Sequence, residues 1–249
     1  MLSLGGCRAP LLHKPPFAML GEVGRAGIAV KQPLANRHDL AGKFDVGPVA
    51  DPFGGPPNFF HVDDDGTIKG TYELALALRQ VIAVDTTLEV GMGYRKFEIN
   101  GLQPAPDPNI QFSVDAVDSL QFYAAVRHYF EGPDWLSDRW RWFLEGGLFF
   151  VPGVSVDSQL QFLTTSQPIS SKGSSYKFLA LTGGAAYALT DQTLLEFGAT
   201  WEEPLESLRV DLSTSVDFGS GQVIDVPIEA NMRPVGAIVF LSLTWFPFA

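Results

Sequence analysis

The 249-residue chain has one cysteine, four histidines, no run of basic residues and no unbroken apolar stretch long enough for a membrane helix. Each shortage excludes a class. One cysteine builds neither a disulfide scaffold nor a cysteine-based zinc site. His13, His38, His61 and His128 fall at no metal-ligand spacing, and no cofactor is expected. Lys and Arg number 17 against 28 Asp and Glu, a net charge of −11, which argues against nucleic acid because phosphate recognition needs a basic face. A spanning helix needs roughly 18 to 20 continuous apolar residues. The nearest stretch, Pro234 to Ala249, is uncharged but rich in β-branched and aromatic residues and bracketed by Pro234 and Pro247, so it reads as a strand. Charged residues make up only 18% of the chain, below the roughly 25% of an ordinary soluble domain.

What the chain does have is 46% hydrophobic and 12% aromatic residues, broken up by 18 prolines. Proline donates no ladder hydrogen bond, so strands must lie between the proline clusters. The intervening segments alternate with period 2, the signal of a half-buried strand. In Thr71 to Gln80, Tyr72, Leu74, Leu76 and Leu78 oppose Glu73, Ala75, Ala77 and Arg79. Leu88, Val90, Met92 and Tyr94 likewise oppose Glu89, Gly91, Gly93 and Arg95. Further strands are predicted over 120–129, 140–150, 178–189, 194–201 and 235–246, with a weaker one over 22–32.

Connection lengths between these eight segments alternate long and short. The short ones are 81–86, 130–138 and 190–192; the long ones are 33–68, 100–115, 152–174 and 203–232. An eight-stranded antiparallel up-and-down transmembrane β-barrel sorts its loops this way, with short turns and both termini at one end. Residues 17–249 form that barrel and residues 1–16 an N-terminal tail. A soluble lipocalin-like barrel is the alternative, with the apolar face inward and a charged exterior. The non-apolar face here is largely Gly and Ala (Gly91, Gly93, Ala125, Gly147, Gly198), which suits a crowded lumen. Trp140, Trp142, Tyr187, Trp201 and Trp245 stand near strand ends, as in a membrane barrel's aromatic girdle. Leu74, Leu76, Leu88, Val90, Leu179, Leu181, Val239 and Leu241 are then expected to face lipid.

The segment Gly-Gly-Ala-Ala-Tyr-Ala-Leu-Thr-Asp-Gln (183–192) running into Leu194–Trp201, with the closing Phe240-Leu-Ser-Leu-Thr-Trp-Phe-Pro-Phe-Ala, resembles the small eight-stranded outer-membrane proteins of the OmpA, OmpX and OmpW type. The resemblance implies a bacterial outer membrane, lipid as the partner, and in the OmpW case a narrow conduit for small hydrophobic molecules. Leu4-Gly5-Gly6-Cys7 looks like a lipobox, which makes Cys7 a candidate for lipidation. Only six residues precede it, too few for a signal's apolar core, so a plain cysteine in the tail is the other reading.

With the apolar faces turned to lipid, the lumen holds Glu73, Arg79, Glu89, Arg95, Gln121, Arg127, Arg141, Glu145, Glu196 and Glu202. Buried charges persist only when paired. Hairpin register is expected to bring Arg127 opposite Arg141, with Glu89 beside them, so Arg79, Glu89, Arg127, Arg141 and Glu145 form a charge cluster that acts as a structural plug or as a gate. A catalytic His128 with Glu145 is disfavoured, because alternation sends His128 to the lipid side, and the chain is not expected to be an enzyme. Asp63, Asp64 and Asp65 in the first long loop are a candidate cation site but lack the alternating ligands of a calcium loop. The long loops are where a protein or surface ligand would bind. Two functions therefore stand: a filled structural or surface-interaction barrel, and a narrow conduit. A layer of Arg and Glu would favour the first; an apolar path through Phe143, Phe149, Ile238 and Phe240 would favour the second.

Overall fold

The structure, a computed structural model, describes residues 16–49, 56–100, 110–132, 137–162, 165–217 and 223–247. The strands are β1 (Ala26–Val49), β2 (Asn58–Ala83), β3 (Thr86–Asn100), β4 (Ile110–Glu131), β5 (Trp140–Val151), β6 (Val154–Phe162), β7 (Thr165–Gly173), β8 (Tyr176–Ala188), β9 (Thr193–Pro204), β10 (Leu208–Asp211), β11 (Thr214–Asp217), β12 (Val223–Val226) and β13 (Ile228–Trp245). Eight of them close a ring in the order β1-β2-β3-β4-β5-β8-β9-β13, with β13 returning antiparallel onto β1. Closure leaves the ring without an edge. A two-residue turn, Val84-Asp85, joins β2 to β3, with Asp85 at φ 57, a left-handed conformation that Asp tolerates better than most residues.

The predicted sorting of connections holds: 84–85, 132–139 and 189–192 lie at one end, together with the start of β1 and the end of β13. The long connections are not loops, however. β1 runs on to Val49 and β2 begins at Asn58, so most of 33–68 is strand. Residues 152–174 form the β6–β7 hairpin, which pairs with the upper part of β4. Within 203–232, β10 pairs with the upper part of β13 and β11 pairs with β12. The barrel wall thus continues well past the predicted strands.

Bulges explain the continuation. Register shifts fall at Pro33/Ala35 in β1, Ile68/Gly70 in β2 and Val114/Ala116 in β4. An extra residue reverses which positions point inward. Below the shift β1 buries Gly27 and Ala29; above it, His38, Leu40, Gly42, Phe44 and Val46. β2 buries Glu73, Ala75, Ala77 and Arg79 below, but Gly66 and Ile68 above.

The chemistry of the two faces reverses as well. In the lower half Leu74, Leu76, Leu78, Leu120, Phe122, Val126, Leu148 and Leu181 are exposed on the outside, over strand lengths close to the roughly 9 to 11 residues of a tilted spanning strand. Leu179, Val90 and Leu241 join this belt, while Leu88 and Val239 are half-buried. In the upper half the outside carries Arg37, Asp39, Lys43 and Asp45, and the inside holds an apolar core that includes Phe44, Phe112, Val156, Leu160, Val210 and Met232. Each strand is therefore lipid-type at one end and water-type at the other. A second apolar cluster closes the short-turn end, where Phe17, Met19 and Leu20 around a single helical turn (Ala18–Gly21) meet Phe143, Leu194 and Phe246.

Candidate functional site

Between the two apolar cores lies a charged interior in two tiers. In the lower tier, Arg79 on β2 stands opposite Glu89 on β3, and Arg127 on β4 opposite Glu145 on β5. Arg79 Nε donates to Glu89 Oε2 at 2.8 Å and Nη1 to Glu196 Oε1 at 2.7 Å. Arg127 Nε donates to Glu145 Oε2 at 2.8 Å, and its Nη1 lies 2.5 Å from the same Glu196 oxygen. Glu196 therefore bridges the two guanidiniums. The Tyr129 hydroxyl also donates to Glu196, at 2.6 Å, and the Tyr123 hydroxyl donates to Glu89 at 2.9 Å. Lys31 completes the tier more loosely, 3.5 Å from Glu145 and 3.9 Å from Glu89, with its ammonium 4.8 Å from the Phe240 ring centroid. Three cations thus face three carboxylates.

The upper tier centres on Arg95, which grips Glu202 through two hydrogen bonds of 2.7 Å and donates to Glu73 at 3.0 Å. Gln121 donates to the other Glu73 oxygen at 2.8 Å, and His38 Nε2 lies 3.1 Å from Glu202. Paired charges with every carboxylate hydrogen-bonded are the arrangement that makes such burial tolerable. A cavity of about 20 Å³, measured as space for the centre of a water molecule, separates the tiers; Lys31, Pro33, Tyr123, Phe149 and Ile238 are among its lining residues. That is room for about one water.

Four of the five predicted cluster residues, Arg79, Glu89, Arg127 and Glu145, meet in the lower tier. Arg141 does not. The expected facing of Arg127 and Arg141 is replaced by a register in which Arg127 opposes Glu145 and Arg141 opposes Glu131, two inward positions nearer the short-turn end. There it pairs with Asp85 and lies 4.9 Å over the Phe17 ring. Glu89 accordingly serves Arg79 rather than an Arg127–Arg141 couple. Lys31, His38, Tyr123 and Tyr129 join the tiers beside the expected residues. The tyrosines share the inward parity of Gln121 and Arg127, which is a readable signal, whereas His38 lies beyond the β1 bulge and is not reachable by counting.

The remaining candidates fall apart. His128 is exposed, with Nδ1 2.9 Å from the Thr86 hydroxyl, on the opposite side of the wall from Glu145. Asp63, Asp64 and Asp65 belong to β2, not to a loop, and successive strand residues alternate sides, so their carboxylates do not converge. No cluster of three or more His, Cys, Asp or Glu suited to a metal occurs among the described residues. Cys7 lies outside the described residues. On the upper exterior, His61 Nδ1 pairs with Asp45 at 2.7 Å. That hydrogen bond, reinforced by the nearby Asp63, holds the His61 pKa above its ordinary value.

No family model matches the chain, and no curated protein matches it. Among solved structures, the outer membrane protein OprG of Pseudomonas aeruginosa is similar at 12% identity, covering 91% of this chain and 99% of that one, with a TM-score of 0.44. Neisserial surface protein A is similar at 12% identity over 89% and 98% of the two chains, TM-score 0.35. Ail of Yersinia pestis is similar at 10% identity over 88% and 99%, TM-score 0.33. The barrel itself is defined by this chain's own closed ladder.

Proposed function

We propose that the chain is a bacterial outer-membrane barrel with a largely filled lumen, serving a structural or surface-interaction role through the half that stands outside the membrane. The observation that carries this reading is the reversal of faces along the strands. A belt of exposed Leu, Val, Phe and Trp surrounds the charged tiers, as a lipid-spanning wall requires. Above it the exterior is polar and the interior apolar, as in a domain bathed by water. A soluble lipocalin-like barrel would keep its charged face outward throughout. Trp140 and Tyr187, cross-strand neighbours with ring centroids 4.9 Å apart, sit with Trp142 and Trp245 near the short-turn end, where an interfacial girdle belongs. The short turns are then periplasmic and the upper half extracellular.

The charged tiers support the filled lumen. Phe149 belongs to the upper apolar core, whereas Phe143 and Phe240 belong to the lower one, so the apolar path expected of a conduit is interrupted by guanidiniums and carboxylates. Eight strands leave an interior that side chains fill. The polar upper exterior is where a protein or surface ligand would dock, and membrane lipid is the partner of the belt.

One observation favours the second reading, a narrow conduit for small hydrophobic molecules. The β1–β2 ladder pauses between the pairs Lys31↔Ala75 and His38↔Ile68 and resumes in the same register. Pro33, which has no N–H to donate, lies in the pause and lines the small cavity. Purified protein in detergent, run on a denaturing gel with and without boiling, tests the membrane barrel: a folded band that shifts on heating supports it, and an unshifted band contradicts it. Uptake of a small hydrophobic dye into proteoliposomes separates the two roles, since only the conduit speeds it.

A further inference from the structure

The segment from Pro16 to Gly24 precedes the first wall strand and takes no part in the ring, whose β1 pairs begin at Ala26 with β2 and at Ile28 with β13. It turns instead into the periplasmic mouth. Two left-handed residues, Phe17 at φ 64 and Gly24 at φ 92, bracket the bend. Between them Met19 and Leu20 are fully buried, and Phe17 is 2% exposed. These side chains pack in one cluster with Val81, Tyr129, Phe143, Leu194 and Phe246, drawn from several walls of the barrel.

The segment is attached at the rim, where Glu22 Oε2 accepts from Arg25 Nη1 at 2.9 Å. Asp85 N donates to Leu20 O at 3.1 Å, and Gly24 N donates to Val81 O at 2.7 Å. Arg141 covers the Phe17 ring and holds Asp85 at the rim. Tyr129 joins this cluster to the charged tier, because its hydroxyl donates to Glu196. These three apolar side chains therefore form the last layer between periplasmic water and the lower charged tier.

We propose that residues 16–24 are a removable stopper of the periplasmic mouth: a lid that keeps water and ions from the Arg79–Glu196–Arg127 tier without being needed for closure of the barrel. The proposal rests on the membrane-barrel reading for its orientation. Its physical basis is that burial of Phe17, Met19 and Leu20 is non-directional and lies outside the ladder, whereas the ring is held by its own strand pairing, which closes from β13 back onto β1.

The test places a reporter at Ala186→Cys, a buried lumen-side position of the lower cluster, in a chain also carrying Cys7→Ser. Labelling by a membrane-impermeant sulfonated maleimide is followed in the full chain, in Met19→Glu/Leu20→Glu, and in a chain lacking residues 1–24. The stopper predicts at least tenfold faster labelling in both altered chains, with the heat-shifted folded band retained. Unchanged labelling with the band retained overturns it. Loss of the folded band in both altered chains also overturns it, because the segment is then part of the folding unit. A full chain that neither floats with liposomes nor shifts on heating overturns the membrane reading instead.

Discussion

Arg79 and Glu89 face each other across the β2–β3 hairpin, and both side chains are closed to solvent while Arg79 donates from Nε to Glu89 Oε2 at 2.8 Å. Direct cross-strand opposition fixes this pair by backbone register, so the contact is as durable as the ladder. Glu89 also takes the Tyr123 hydroxyl and lies within 3.9 Å of Lys31. Removing it leaves charge and a phenol uncompensated at one point.

Glu89→Ala is expected to destabilise the barrel by about 3 to 5 kcal/mol, the usual cost of stranding one member of a buried pair. Asp39→Ala, at an exposed outward position of the upper half, should stay within about 0.5 kcal/mol. Urea titration read by the heat-shifted gel band compares the two, and equal midpoints would contradict the lumen network.

The belt makes an opposite demand on exposed residues. Leu76 is 54% exposed on the outside of the lower half, yet Leu76→Arg should cost about 2 to 4 kcal/mol because the solvent there is lipid. Refolding yield and stability in lipid vesicles check this. A neutral effect would mean that water, not lipid, surrounds Leu76.

Above the bulges the rule reverses within a single strand. Phe44 is fully buried and packs edge-on against Phe112, with ring centroids 4.9 Å apart, so Phe44→Ala should cost about 3 to 5 kcal/mol. The adjacent outward Lys43→Ala should change stability little. Chemical unfolding of both variants tests the reversal, and a larger loss for Lys43→Ala would refute it.

The bulges also mark where the sequence stops being readable. Eight strands, their short turns and the inward phase of Glu73 to Arg79 follow from uninterrupted alternation. At Leu34, Lys69 and Asp115 one residue is added and the apolar face changes side in the same step, so period and polarity fail together and the upper strands look like loops. His38 in β1 and Asp63 to Asp65 in β2 both lie beyond these added residues, where counting from the lower half no longer gives the side. Arg141 stands four pairs from the expected register, opposite Glu131 rather than Arg127, because the β4–β5 connection is longer than a tight hairpin and does not fix the register. Lys31 stands in the strand whose alternation is the weakest of the eight.

The His61–Asp45 pair on the exterior gives a pH signature. Because Asp45 raises the His61 pKa in the folded chain, the pair's contribution is fully present below the ordinary value of about 6.5 and fades as pH rises through the raised value. Asp45→Asn should therefore lower the His61 titration midpoint, followed by NMR of the imidazole. A midpoint unchanged by Asp45→Asn would show that the two do not interact in solution.

A membrane barrel whose interior is occupied by paired charges and closed by an apolar layer at each end passes no ions. Single-channel recording of the refolded, heat-shifting protein in planar bilayers tests it most directly. A filled lumen gives a silent trace at inserted-protein densities where an open pore would give discrete steps; stable, reproducible conductance steps from the unaltered chain would contradict it.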